Sequence, residues 1–476
     1  MRCAVFLLSM LSCWATDLEH RIDALTEASG PAGHAFVGIH VVELSTGKTL
    51  YHKNEDKLLL PASNMKLFTT ALALLRLGPD YRFVTQVVRD PSGDLVLVGG
   101  GDPSLSGRVY PYQKDAPLGP RLQSIENLAD QAVAAGLTRV DGDIVGDDRL
   151  YPWAPYPPSW TQDDTLREFG APVSALSVND NIITLSIRPG AHSGDLAELS
   201  VEPALEYYAI DNRLMTTQGG QAKIRFSRLP GSRQLLVWGS IPASSPVIRE
   251  ETPIDDPALY AACALYDALT RRGVAIAGHP VARHRSVTDD YDPPSGTALA
   301  SRTSPPLEQL LQMLAKVSQN LHAELMLREV GRVTRHAGTR EAGLEELSAM
   351  LAEFGAPAGD ARPEDGSGLS RNTLVTPRVV TRLLSHLEAS KHKDAWMSLL
   401  PVGGEDGTLA RRLCCMSDGR GIRAKTGSLS RSLALSGYAD SKTSGLLAFS
   451  IIVNDFSAPA AEVRRFIDKI ATALLE

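Results

Sequence analysis

Pro61-Ala62-Ser63-Asn64-Met65-Lys66-Leu67-Phe68-Thr69-Thr70-Ala71-Leu72-Ala73-Leu74-Leu75 is the stretch on which the reading of this chain turns. Pro61 and Ser63 open a run whose apolar residues Leu67, Phe68, Leu72, Leu74 and Leu75 recur at helical spacing, and the run stops at Gly78-Pro79. Ser63 therefore stands at a helix start, with Lys66 three residues on and on the same side, where side chains are neighbours. Two later segments carry matching chemistry: Ser318-Gln319-Asn320 and Lys425-Thr426-Gly427. The three segments have the forms SxxK, SxN and KTG. In that order they supply one hydroxyl nucleophile, two lysines and further hydrogen-bonding side chains, which is equipment for acyl transfer through a serine ester.

Each form is weak alone. SxxK recurs at Ser45 to Lys48 and Ser390 to Lys393, and SxN at Ser177 to Asn179 and Ser370 to Asn372. Context separates them. Ser45 falls in the turn between the strand patterns Ala35 to Leu44 and Thr49 to His52, and Ser390 falls in a polar loop. Ser63 instead opens a helix whose amide dipoles would support a developing negative charge. Ser318 lies in a strongly helical stretch marked by Leu307, Leu310, Leu311, Leu314, Val317, Leu321 and Leu325, where a local break would aim a hydroxyl and an amide into a cleft. The KTG segment runs toward the strand pattern Leu433 to Tyr438, a turn at Asp440 to Gly445, and a second strand pattern from Leu446 to Val453.

A chain of 476 residues, 43% apolar and 22% charged, is a folded protein too long for one core. Its net charge of −7 and lack of a basic block argue against nucleic acid. Between residues 91 and 287 short β-rich runs alternate with Gly and Pro turns, interrupted by helical patterns at Leu122 to Ala135 and Pro257 to Arg272. The order of elements predicts a discontinuous α+β domain from residues 16–90 and 288–476. Residues 91–287 would form an inserted region of one or two β-rich lobes.

The first residues read as a secretory signal: Arg2, an apolar run from Cys3 to Leu11, and small residues before a cut after Ala15. Residues 1–15 would then be removed and the protein exported. The remaining cysteines, Cys263, Cys414 and Cys415, show no disulfide framework and read as small buried thiols. The last segment repeats Val463, Phe466, Ile467, Ile470 and Leu474 at helical spacing, with charges of mixed sign opposite. That is a packed helix rather than one that touches lipid. The eleven histidines show no HExxH spacing, Gly99-Gly100-Gly101 lacks a phosphate-loop lysine, and no GxSxG elbow occurs, so no metal or cofactor is expected.

With these residues the chain resembles the low-molecular-mass class C penicillin-binding proteins, the D-alanyl-D-alanine carboxypeptidases and endopeptidases. The resemblance covers nearly the whole mature chain. It extends to Gly99-Gly100-Gly101-Asp102-Pro103-Ser104, Gly142 to Asp148, Ala171 to Leu176, Asp365-Gly366-Ser367-Gly368-Leu369-Ser370 and Gly404 to Leu409, and to the 255 positions between Ser63 and Ser318. It implies a serine β-lactamase/transpeptidase-like fold, an antiparallel sheet flanked by helices with a helical subdomain, and a large insertion between the first two motifs. It implies Ser63 as nucleophile, a neutral Lys66 as its base, Ser318 as proton relay, and Asn320, Lys425, Thr426 and Gly427 at the substrate. The backbone amides of Ser63 and Ser428 would form the oxyanion hole. The implied partners are peptidoglycan stem peptides and, as covalent inhibitors, β-lactams. Two alternatives are a β-lactamase or esterase on the same scaffold, and a non-catalytic cell-wall scaffold protein.

Overall fold

The computed structural model describes residues 18–26, 30, 33–229, 231–414 and 421–476. The expected signal segment and Cys415 lie outside these residues. Two compact units are present, one made of Met1–Asp80, Leu307–Arg335 and Arg340–Glu476, the other of Tyr81–Pro306 and His336–Thr339.

The first unit is built on a five-stranded antiparallel sheet in the spatial order Ile422–Leu429, Ser432–Ser441, Gly445–Asn454, Phe36–Glu43, Thr49–Lys53. Phe36–Glu43 pairs along its whole length with Gly445–Asn454, so segments from both ends of the chain are hydrogen-bonded neighbours. The strand pleat sorts the side chains. Val37, Ile39, Val41, Phe449, Ile451 and Val453 share a core with Ile22 and with Val463, Phe466, Ile467 and Ile470 of the helix Ala460–Ala473. The terminal helix is thus packed on the sheet, and each buried side chain of this kind adds about 1.5–3 kcal/mol. The opposite face meets the helix Pro377–Glu388, which starts where the Thr376 hydroxyl accepts from the Val379 amide and Pro377 takes the first turn.

The helices Met65–Leu77, Leu307–Val317, Asn320–Arg335 and Arg340–Glu353 form the helical layer of this unit. Two departures from regularity shape the site. Ser63 is not the first residue of the α-helix but the middle of a 3-10 turn, Ala62–Asn64, that precedes it. Ala62 takes a positive φ of 48° there, the cost of a sharp approach to the helix. The long helical pattern after Pro306 is broken in two at Ser318, which adopts φ 61° between Leu307–Val317 and Asn320–Arg335.

The second unit holds a mixed five-stranded sheet ordered Pro280–Arg283, Ile144–Asp147, Leu95–Val98, Val84–Arg89, Thr297–Thr303. Its outermost pair is antiparallel, Val84–Arg89 with Thr297–Thr303. That pairing is why the unit begins at residue 81 and ends its main segment at 306, rather than at the 91 and 287 expected from composition. The helices Gln123–Ala134 and Pro257–Arg271 pack on this sheet through Ile125, Leu128, Tyr260 and Leu265 against Val87, Leu95 and Ile144. A second lobe of the same unit joins two three-stranded sheets around Leu185, Ile187, Leu214, Leu235, Val237 and Ile241. Cys263 and Cys414 are free thiols; Cys263 is half-buried, and Cys414 is exposed rather than buried.

Gly146 shows how closely helix and sheet approach in this unit. A Cβ at that position would stand 1.9 Å from the carbonyl oxygen of Ala258. Gly146→Ala should therefore destabilise the second unit by about 1–3 kcal/mol through overpacking. Thermal unfolding would show a lowered transition, and an unchanged midpoint would contradict the packing described.

Candidate active site

The three motif segments converge within the first unit. Lys66, on the first turn of Met65–Leu77, is completely buried, and its Nζ has three neighbours. Ser63 Oγ lies at 2.9 Å, Asn320 Oδ1 at 2.5 Å and the Ser367 carbonyl oxygen at 2.7 Å. Asn320 Oδ1 and the carbonyl can only accept. A neutral amine has two N–H donors and one lone pair, so donating to both acceptors leaves the lone pair facing the Ser63 hydroxyl. Burial favours this form: it draws the Lys66 pKa down to about 7, against the raising influence of Asp365 and Glu324.

Lys425 is the second buried lysine. Its Nζ donates to Ser318 Oγ at 2.8 Å and to the Thr426 carbonyl at 2.9 Å. Burial, and then the charge of Lys66, hold its pKa well below the usual lysine range. The positive φ at Ser318 is what turns its hydroxyl toward this lysine. Burial is thus the leading influence on both lysines, and it is what can make an amine a base near neutral pH.

Lys425 stands on an edge strand. Ile422 accepts from the Gly403 amide and Ala424 donates to the Pro401 carbonyl, so the even-numbered backbone groups point away from Ser432–Ser441. By the two-residue repeat the Ser428 amide faces the same free edge. Gly427 has a packing role as well. A Cβ there would meet the Pro61 carbonyl at 2.5 Å and Ala62 Cβ at 3.2 Å, so the nucleophile turn itself requires the glycine.

The motif reading missed Glu324, which acts together with Asp365. Glu324, one helical turn beyond Asn320 and fully buried, accepts from the amides of Gly366 and Ser367, both at 2.9 Å. Asp365 accepts from the amides of Gly368 and Ser370 and from the hydroxyls of Ser367 and Thr373. Together the two carboxylates fold the loop that presents the Ser367 carbonyl to Lys66. Burial and the neighbouring Asp365 push the Glu324 pKa up to about 7. The only sequence signal was an acidic residue one turn from a motif asparagine on a strongly apolar helix.

Glu324→Gln keeps an oxygen for the two amides and removes a charge that holds a proton on Lys66. With Asp365 and Lys425 still facing Lys66, its pKa should fall further, moving the acid limb of Ser63 acylation by penicillin to lower pH by roughly one unit. Glu324→Ala should slow acylation as well, since it leaves two buried amides unpaired at about 1–3 kcal/mol each. Acylation rates across neutral pH check both, and an unmoved limb in Glu324→Gln would contradict the assignment.

Comparison with known proteins agrees with this geometry. The family model described as D-Ala-D-Ala carboxypeptidase 3 (S13) matches residues 18–474. A D-alanyl-D-alanine carboxypeptidase of Actinomadura sp. (strain R39) is 34% identical over 480 residues, spanning 97% of this chain and 85% of the relative. A second D-alanyl-D-alanine carboxypeptidase, from Haemophilus influenzae, is 23% identical over 467 residues, spanning 95% of this chain and 92% of the relative. The solved penicillin binding protein 4 of Haemophilus influenzae shares the fold, with a TM-score of 0.81 at 22% identity over 95% of this chain and 98% of that one. A match that runs almost from the first described residue to the last makes the chain a member of the D-Ala-D-Ala carboxypeptidase 3 (S13) family, a serine peptidase of the low-molecular-mass class C penicillin-binding type.

Proposed function

We propose that the protein is a D,D-peptidase of peptidoglycan, which hydrolyses the terminal D-Ala-D-Ala bond of stem peptides through an ester on Ser63 and also opens D-alanyl-diaminopimelate cross-links. One observation carries the reading: Lys66 Nζ, fully buried, lies 2.9 Å from Ser63 Oγ, so that its neutral form, with its two N–H groups given to Asn320 Oδ1 and the Ser367 carbonyl, can take the Ser63 proton. Ser63 Oγ attacks the D-alanyl carbonyl while its proton passes to Lys66. The oxyanion is held by the backbone amides of Ser63 and Ser428. The C–N bond then breaks, and the amine leaves with a proton delivered through the Ser318 hydroxyl, which Lys425 contacts. Water, activated by Lys66, hydrolyses the ester and restores Ser63. Asn320 orients Lys66 and the substrate amide, and Lys425 with Thr426 faces the terminal carboxylate.

A β-lactam enters the same steps but has no amine that can diffuse away, so the ester persists. The Haemophilus influenzae relative has been solved in complex with a β-lactam. Such a substrate places the protein outside the cytoplasm, in agreement with the expected signal. A vestigial scaffold would be poorly served by two buried lysines, whose ammonium groups are costly to desolvate.

Release of D-alanine from an acyl-D-Ala-D-Ala peptide tests the proposal. Wild type should release it, and Ser63→Ala should lose about four orders of magnitude or more, as nucleophile removal does in other serine peptidases. Release at the wild-type rate by Ser63→Ala, or rapid penicillin destruction without peptide hydrolysis, would overturn it.

A further inference from the structure

Residues 400–409 run between the two elements that bear Ser318 and Lys425. On one side they are tied to the strand Ile422–Leu429. The Ala424 amide donates to the Pro401 carbonyl at 2.9 Å, the Gly403 amide to the Ile422 carbonyl at 2.8 Å, and the Thr426 hydroxyl to Thr408 Oγ1 at 2.9 Å. On the other side one buried side chain ties them to the last turn of the helix Leu307–Val317. Lys316 Nζ donates to the Leu400 carbonyl at 2.7 Å and to Asp406 Oδ2 at 2.6 Å, while Asp406 Oδ1 accepts from the Val402 amide at 2.9 Å. The backbones meet there as well, since a Cβ at Gly407 would stand 2.7 Å from the Lys316 carbonyl oxygen.

Lys316 is only 3% exposed and takes no part in the steps at Ser63. Its charge is costly to bury, and an apolar side chain would serve a packing role at least as well. What sets it apart is its place. Ser318 follows two residues later at φ 61°, just past the last helical residue. A residue in that conformation is held by its surroundings rather than by the helix. Its hydroxyl lies 2.8 Å from Lys425 Nζ, and a proton passes between two such groups only within hydrogen-bond reach. Residues 400–409 therefore act as a spacer, clamped by Lys316 to the helix end and by backbone bonds to the strand that bears Lys425.

We propose that Lys316 and Asp406 are a positioning pair for the Ser318–Lys425 relay, needed for proton delivery to the departing amine and not for attack by Ser63. The inference rests on the D,D-peptidase reading above and assigns the buried pair to one step of it.

The test varies the leaving group. It compares an acyl-D-Ala-D-Ala peptide with the thioester acyl-D-alanyl-thioglycolate, which keeps a terminal carboxylate but departs as a thiolate that needs no proton. In the full chain carrying Asp406→Asn, kcat/KM for the peptide should fall by about tenfold or more, and that for the thioester by less than about threefold, because general-acid assistance is lost only where it is used. The double variant Lys316→Met/Asp406→Leu leaves no unpaired charge in the interior and should show the same split. Retained thioester hydrolysis reports an intact Ser63 and Lys66 in each variant. Equal losses on the two substrates, or peptide hydrolysis at the wild-type rate in the double variant, would overturn the positioning role, while D-alanine release by wild type leaves the parent reading standing. Wild type that releases no D-alanine would overturn both.

Discussion

Burial of the Lys66 amine is the constraint on which the first unit depends. An ammonium placed in a fully dry site costs far more than a neutral amine, so the fold must either supply a counter-charge or let the proton go. This site does neither completely. Glu324 and Asp365 lie close enough to moderate the loss, while their oxygens also accept from loop amides and, at Glu324, from the Arg328 guanidinium at 3.4 Å. The amine itself sees an amide oxygen, a carbonyl oxygen and one hydroxyl, a set that either protonation form can satisfy, so it is burial that favours the neutral one.

That geometry is assembled from segments far apart in sequence. The pairing of Phe36–Glu43 with Gly445–Asn454 closes the sheet, and with it brings the KTG strand, two positions away across the sheet, beside the turn that holds Ser63. Contacts between the Pro61 carbonyl and Gly427, and between the Ala62 carbonyl and Gly368, leave no room for a side chain at either glycine. The positive φ at Ala62 and Ser318 is a local strain of the kind that a surrounding fold must hold in place. Ala62 lies in the turn that bears Ser63, and Ser318 contacts Lys425.

Much of this was legible in the residues themselves. Three-residue spacing placed Lys66 beside Ser63, the helical run after Pro306 foretold a helix with a polar interruption, and alternation marked the strands on either side of Gly445. The missing parts share a cause. Glu324 binds amides 42 and 43 residues away, and no periodicity encodes which backbone a buried carboxylate will meet. The strands Val84–Arg89 and Thr297–Thr303 flank the composition change but belong with it, because pairing partners more than two hundred positions apart are invisible to local pattern. The contact of Gly427 with the Pro61 carbonyl is likewise one that no local pattern encodes.

The central claim, that Lys66 is a base because burial keeps it neutral, can be measured at the amine. NMR titration of lysine side chains labelled at the ε-carbon, with the Lys66 signal assigned by its loss in Lys66→Met, reports this protonation directly. The account predicts a midpoint near 7, and a midpoint at the ordinary lysine value of 10.5 would contradict it.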